Sequence, residues 1–207
     1  MSLAVLRILP IDACRANIYK TGPESGSFTN TGGMVEGGKC QINEEFVKPG
    51  LYHLKAEASD KGTDYFFPWL RTGVGYVKVP HAAPDGTVVL TGGVNGCSIV
   101  VSTHQNDYYF YHDGDSKFLK PEMVQGNEVA RVGPGEYDRL NQAMNQFSAA
   151  LGTASLAGVK PVGDVSYGHF VLAVKSNGQF GLYSTGVMSL NGFTKLTQGA
   201  LPLCPLF

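Results

Sequence analysis

Charge is scarce in this 207-residue chain. Asp, Glu, Lys and Arg together make up 16% of it and nearly cancel, leaving a net charge of −1. The Lys and Arg residues are scattered, which argues against a nucleic-acid groove, since that needs a clustered basic face. Cysteine is also sparse. Cys14, Cys40, Cys97 and Cys204 form no CxxC pair, so a zinc ribbon is not expected. Their even count would allow two disulfides, but the apolar run 4–11 is short and broken by Arg7 and Pro10, unlike a secretory leader. The thiols are therefore expected to be reduced. No stretch approaches the roughly 20 apolar residues of a membrane span. Gly73-Val74-Gly75 lacks the third glycine and following helix of a dinucleotide loop. Asp113-Gly114-Asp115 lacks the further carboxylates of a calcium loop, and no metal site is expected.

What the chain does hold is glycine, aromatics and β-branched residues: 27 Gly, 10 Tyr and 11 Phe, within 43% hydrophobic residues. Short apolar runs bounded by Gly, Pro and Asn read as strands. Such runs lie at 5–11, 40–42, 51–58, 74–79, 87–91, 98–103, 108–112, 169–175 and 179–184. Lys48-Pro49-Gly50 and Ser176-Asn177-Gly178 are their clearest turns, Asn-Gly being a strong hairpin signal. One helix stands out over 136–151, where Tyr137, Leu140, Met144, Phe147 and Leu151 recur at steps of 3 and 4. The tail from Ala200 to Phe207 is expected to be irregular. The expectation is an α+β fold, a central β-sandwich of mostly antiparallel strands flanked by a few helices. No interior linker or repeat divides it, so residues 1–207 read as a single domain, whole or a piece of something larger.

Candidate chemistry centres on 86–116. Gly92, Gly93 and Gly96 break a strand, and two further strands follow, parted by His104-Gln105-Asn106-Asp107. Side chains alternate faces along a strand, so parity decides what meets. An even loop pairs residues whose numbers sum to 209 or 211. The first register sets Cys97 opposite His112; the second sets Ile99 there, one same-face step away. Either way Cys97 and His112 share a face with Ile99, Val101, Tyr108 and Phe110. Ser98, Val100, Ser102, Tyr109 and Tyr111 fall on the other, wetter face. A thiol beside an imidazole is a nucleophile–base pair whose ion pairing lowers the thiol pKa. The same residues also fit a core cysteine and a capped histidine. Thr21–Lys39 is a lid or a plain surface loop. Tyr65–Leu70, with the lone Trp69, is a cleft wall or core.

Gly96-Cys97 at a strand head, fifteen residues before the His of Tyr109-Phe110-Tyr111-His112, resembles the catalytic core of the cytotoxic necrotizing factor deamidases. The Burkholderia lethal factor, a relative, has a Thr six residues before its nucleophile, where Thr91 stands, and a Pro-Trp similar to Pro68-Trp69. The family motif Ser-Gly-Cys is replaced by Asn95-Gly96-Cys97. The resemblance spans about fifty residues, Pro68 to Asp115, and implies a protein-glutamine deamidase. Cys97 would be the nucleophile, His112 the base and Thr91 or a backbone carbonyl its orienter, with Asp113 and Tyr167 as rivals. Asn95, Gly96 and Trp69 would meet the substrate or its oxyanion. Such a reaction needs no cofactor, and with an amine in place of water it gives transglutamination. The implied partner is a host protein with a reactive Gln, a GTPase or translation factor. The implied setting is a secreted bacterial effector, monomeric, working in the host cytosol. The alternatives are a cysteine protease or amidase on the same pair, and a non-catalytic β-sandwich binding domain in which Cys97 is core and Tyr108, Tyr109 and Tyr111 are contacts.

Overall fold

The structure is a computed structural model that describes residues 2–23, 32–136, 165–190, 193–196 and 202–205. It begins with α1 (Ser2–Ile8) and α2 (Pro10–Ala16). Then come β1 (Ile18–Pro23), β2 (Met34–Glu36), β3 (Gly38–Lys48), β4 (Leu51–Ala58), β5 (Asp64–Phe66), β6 (Val74–Pro80) and β7 (Val88–Gly93). The series continues with β8 (Ser98–His104), β9 (Asp107–Asp113) and β10 (Asn127–Val132). It ends with β11 (Val165–Ser176), β12 (Gln179–Leu190), β13 (Phe193–Leu196) and β14 (Pro202–Pro205).

Two mixed, mostly antiparallel sheets result. The smaller runs β10-β8-β9-β6-β2; the larger runs β1-β4-β3-β5-β7-β11-β12-β13, with β14 also on β12. The larger sheet curls until its first strand meets its far side. There Thr185 Oγ1 donates to the Tyr19 carbonyl at 2.8 Å, and Thr21 Oγ1 donates to the Thr91 carbonyl. Its near-barrel interior holds Tyr19, Leu54, Val88, Leu90, Leu172 and Val174, with Leu6 and Cys14 of the two helices. The opposite face of β7 and β11, at Val89, Val171 and Ala173, packs on Val77, Ile99, Val101 and Phe110 of the smaller sheet. The β-rich character agrees with the sequence expectation, while the larger sheet is nearly barrel-like.

Three local expectations change. The run 5–11 is not a strand but the end of α1 and the start of α2. Ala4, Leu6 and Arg7 are good helix formers, and Pro10 sits in the first turn of α2, where its missing N–H costs nothing. Arg7 then fixes α1 through both guanidinium nitrogens to Asp64, at 2.7 and 2.5 Å. The tail is not wholly irregular, because 202–205 pairs with β12. The supposedly wet face of β8 and β9 is covered: Val100 and Tyr111 are buried against Phe118, Leu119 and Val124. Of the expected 136–151 helix only residue 136 is described, as the end of a helical run 134–136, and 137–151 lie outside the described residues. Asn177-Gly178 forms the expected tight turn, with φ of 54° and 80°, both left-handed as a type I′ turn requires.

Candidate active site

The β8–β9 hairpin closes through Gln105-Asn106, pairing His104 with Asp107, and so takes the register that sums to 211. Ile99 faces His112, and Cys97 precedes the first paired residue of β8. Cys97 belongs to the same buried cluster as Ile99, Val101, Tyr108 and Phe110. Phe67, also in that cluster, presents its ring to the imidazole of His112 at 6.4 Å, edge-on. Parity therefore places thiol and imidazole on the face that looks into the core between the sheets.

His112 is closed to solvent, and its Nδ1 lies 2.7 Å from Thr91 Oγ1. Thr91 is on β7 of the larger sheet, so this contact crosses between the sheets. Nε2 is also buried and has no hydrogen-bond partner. If Nδ1–H donates to Thr91 Oγ1, Nε2 carries the lone pair and is the basic nitrogen. Burial without a counter-charge drives the imidazole pKa down to about 3, so His112 is neutral at pH 7.

Cys97 is 2% exposed, and its thiol is not in a disulfide. Burial raises its pKa, while the Asp115 backbone and the Trp69 side chain pull the other way; the thiol faces the Asn95 carbonyl at 3.9 Å. The resting pair is thus a neutral thiol and a neutral imidazole. The expected thiolate–imidazolium ion pair is absent, because neither charge is stable in so dry a place. Cys14 and Cys40 are buried more inertly, each pushed up to about 12 by desolvation.

Close glycine contacts seat the Pro68-Trp69 segment against β6 and β7. A Cβ on Gly75 of β6 would fall 1.7 Å from the Pro68 carbonyl oxygen, and one on Gly92 of β7 would press on the Trp69 Cβ at 3.3 Å. Gly75 pairs with His112, so the Pro68-Trp69 segment rests directly beside the imidazole strand. On the other side, the backbone reverses through Asp115 and Ser116, both at positive φ (50° and 56°). Ser116 Oγ donates to the Gly96 carbonyl at 2.9 Å and meets Ser98 Oγ at 2.6 Å. Asp113 Oδ1 accepts from the N–H groups of Phe118 and Leu119 at 2.7 and 3.0 Å, so it organises this turn.

Not every expected site residue is arranged as the sequence suggested. Gly96 has the positive φ (82°) that a tight turn before Cys97 needs. Asn95 Oδ1 accepts from the His169 backbone N–H at 3.2 Å, which ties the glycine turn to β11. Asp113, a rival orienter of His112, is engaged with Phe118 and Leu119; the side chain of Tyr167 lies outside the described residues. The sequence reading missed Asp115 and Ser116. Their one signal was the Asp113-Gly114-Asp115 turn immediately after the histidine.

Fold and site together define a β-rich domain in which a threonine hydroxyl meets an imidazole where two sheets pack, with a buried thiol on the imidazole's face of the hairpin and no hydrogen bond between thiol and Nε2. Residues 26–150 match the family model of the Mcf1 activator-binding domain, and the chain belongs to that family. The matched span contains Trp69, Thr91, Cys97, His112 and Ser116. Among solved structures, the C-terminal domain of CNFy from Yersinia pseudotuberculosis is similar at a TM-score of 0.30 and 9% identity. That likeness covers 72% of this chain and 65% of the other, so the chain spans just under two thirds of that domain. A search of curated proteins gave no match. Among the described residues no helix is long and apolar enough to cross a membrane.

Proposed function

We propose that this is a toxin-associated domain whose Cys97, His112 and Thr91 form a protein-glutamine deamidase site, closed at rest. The observation that carries the reading is the 2.7 Å contact between Thr91 Oγ1 and His112 Nδ1; with the proton on Nδ1, Nε2 is the basic nitrogen. An imidazole oriented by a third group is how thiol and hydroxyl nucleophiles are activated across unrelated folds. The sequence likeness to the deamidases points to the same residues.

The chemistry follows from those groups. Nε2 takes the Cys97 proton as sulfur attacks the carboxamide carbon of a Gln side chain. The C=O π pair moves onto oxygen and is held by N–H donors. The C–N bond then breaks, and nitrogen leaves as ammonia with the proton from the imidazolium. Water attacks the thioester, giving its proton to Nε2. The C–S bond breaks, releasing Glu and returning the proton to sulfur. An amine in place of water would give transglutamination. Because both groups are neutral in the closed site, proton transfer has to accompany attack or follow opening. The natural setting for such a domain is a bacterial effector in the host cytosol, acting on a GTPase or translation factor.

A second reading draws on the family's description. An activator-binding domain binds a protein partner, and burial of Cys97 and His112 suits a module in which the pair is structural. One experiment separates the two. Purified chain is incubated with host-cell lysate, wild type against Cys97→Ala, and peptides are searched by mass spectrometry for Gln-to-Glu conversion. Conversion with wild type alone supports the deamidase. No conversion, with partner capture equal in both proteins, supports the binding module.

A further inference from the structure

We infer that the cavity between α1, the start of β7 and the β11–β12 turn is a binding site for a neutral ligand with vicinal hydroxyls, a saccharide unit. It is separate from the Cys97 site and does not rest on the deamidase reading. Thr87, in its wall, directly precedes β7, whereas Thr91 stands four residues further on, roughly 13 Å along the strand.

The cavity holds about 630 Å³, within the range of small-ligand sites. Its walls come from segments far apart in sequence, and each is tied to another. The Asp85 carboxylate accepts from the Gly178 N–H at 2.9 Å, and the Gly86 N–H donates to the Lys175 carbonyl at 2.8 Å. Arg7 of α1 reaches both Asp64 and the Gly86 carbonyl, the latter at 2.6 Å. Lys175 Nζ donates to the His81 and Ala83 carbonyls, which fixes the loop that carries Asp85. The site is therefore formed before any ligand arrives.

Two groups in the wall lack partners. Thr87 is 1% exposed, and its Oγ1 has no hydrogen-bond partner. Buried hydroxyls are almost always satisfied, so an exception calls for a ligand or a water. Arg7 carries five N–H donors, of which three are engaged. Nη1 and Nη2 grip the Asp64 carboxylate end-on, and the second Nη1 hydrogen goes to Gly86. The free pair is then Nε–H and the outer Nη2–H. These point the same way along one edge of the guanidinium and suit two neighbouring oxygens. The Arg7 side chain is 28% exposed and lines the cavity.

Charge decides among ligands with paired oxygens. Arg7 is neutralised by Asp64, and Asp85 leaves the wall net negative. A carboxylate or phosphate would be repelled there. Vicinal hydroxyls would not: they accept from the Arg7 edge and donate to the second Asp85 oxygen and the Asn177 carboxamide. Ile8, 72% exposed, and Pro84 supply apolar surface for the C–H face of a pyranose ring.

The test is an NMR titration of the chain, its backbone amides assigned. The probes are the methyl glycosides of glucose, galactose, mannose and N-acetylglucosamine, with acetate and inorganic phosphate run separately. At least one glycoside is expected to shift Thr87, Ser176 and Asn177 with a Kd on the order of 1 mM. The anions are expected neither to shift these residues nor to compete. Thr87→Val removes the unpartnered hydroxyl without breaking a hydrogen bond inside the protein. It should be as stable as wild type to urea and bind the glycoside about tenfold more weakly. If Thr87→Val does not fold, Asn177→Gly, at an exposed turn, makes the same comparison. No shift from any glycoside up to about 50 mM overturns the site. So does displacement of the bound glycoside by phosphate, or undiminished binding in the folded variant.

Discussion

Thr91 Oγ1 and His112 Nδ1 lie 2.7 Å apart, and neither residue touches solvent. The hydroxyl comes from the larger sheet and the imidazole from the smaller one, so this contact joins the sheets and fixes the ring. Thr91→Val keeps the branched shape and removes the hydroxyl. It leaves a buried ring nitrogen unsatisfied, a loss of about 1–3 kcal/mol. Stability by urea unfolding is expected to fall by that order, and turnover by more than twofold. Turnover within twofold of wild type removes Thr91 as the orienter of the base.

The buried imidazole also sets how the fold responds to acid. Its folded pKa is about 3, against an ordinary value of 6.5. Between those values the unfolded chain binds a proton that the folded chain refuses. The stability contributed by neutral burial is therefore fully present above pH 6.5 and is lost as pH falls toward 3. The slope from this one group approaches about 1.4 kcal/mol per pH unit across that window. Unfolding free energies at pH 7, 6, 5 and 4, compared with those of His112→Asn, should differ in slope by nearly one proton. Parallel curves would show that His112 takes up its proton as readily in the folded protein as in the unfolded chain.

Much of the site was legible because β periodicity is rigid. Once Gln105-Asn106 sets an even loop, Cys97 and His112 must share a face, and either register gave that result. Thr91 was placed by resemblance, since sequence alone cannot show which strand of another sheet will pack on an imidazole. The charge state was misjudged for a related reason. Parity gives adjacency but not depth, and depth decides whether a thiolate and an imidazolium can exist. The tie between the Asp115-Ser116 turn and the Gly96 carbonyl was hidden because both residues take a left-handed conformation that composition does not announce. At 5–11 the β-branched residues suggested a strand, while helix propensity and the Arg7–Asp64 ion pair settled it otherwise.

Gly75→Ala tests how the lone tryptophan reaches the site. The added Cβ would lie 1.7 Å from the Pro68 carbonyl oxygen, a backbone atom that has no rotamer in which to retreat. The Pro68-Trp69 segment must move off β6 or the β6–β9 ladder must part beside His112. Either outcome is expected to cost at least about 3 kcal/mol, in the range of severe overpacking. Trp69 is half-buried and is the chain's single tryptophan, so its fluorescence reports the displacement directly. Unchanged emission with stability within about 1 kcal/mol of wild type would show that the close approach at Gly75 can be relieved locally.

The last prediction concerns the thiols. Cys97→Ala is expected to abolish deamidation, while Cys14→Ala, Cys40→Ala and Cys204→Ser are expected to retain it per folded molecule. Among the described cysteines, only Cys97 has a histidine on the same face of its hairpin. Cys14 and Cys40 are held near a pKa of about 12 in the barrel-like interior, where no thiolate forms at neutral pH. Their alanine variants should lose stability by about 1–2 kcal/mol through small cavities, which is why activity has to be normalised to folded protein. Cys97→Ala is a better probe than Cys97→Ser, because a hydroxyl at a site 2% exposed adds a polar group to the core as well as removing the nucleophile. His112→Ala should be nearly as damaging to activity as Cys97→Ala, and the double variant scarcely worse than either, since nucleophile and base act as one unit. Substrate incubation followed by peptide mass spectrometry reads all of these, with circular dichroism as the control for folding. Full activity in a folded Cys97→Ala protein would remove the nucleophile and leave the partner-binding module as the function of this domain.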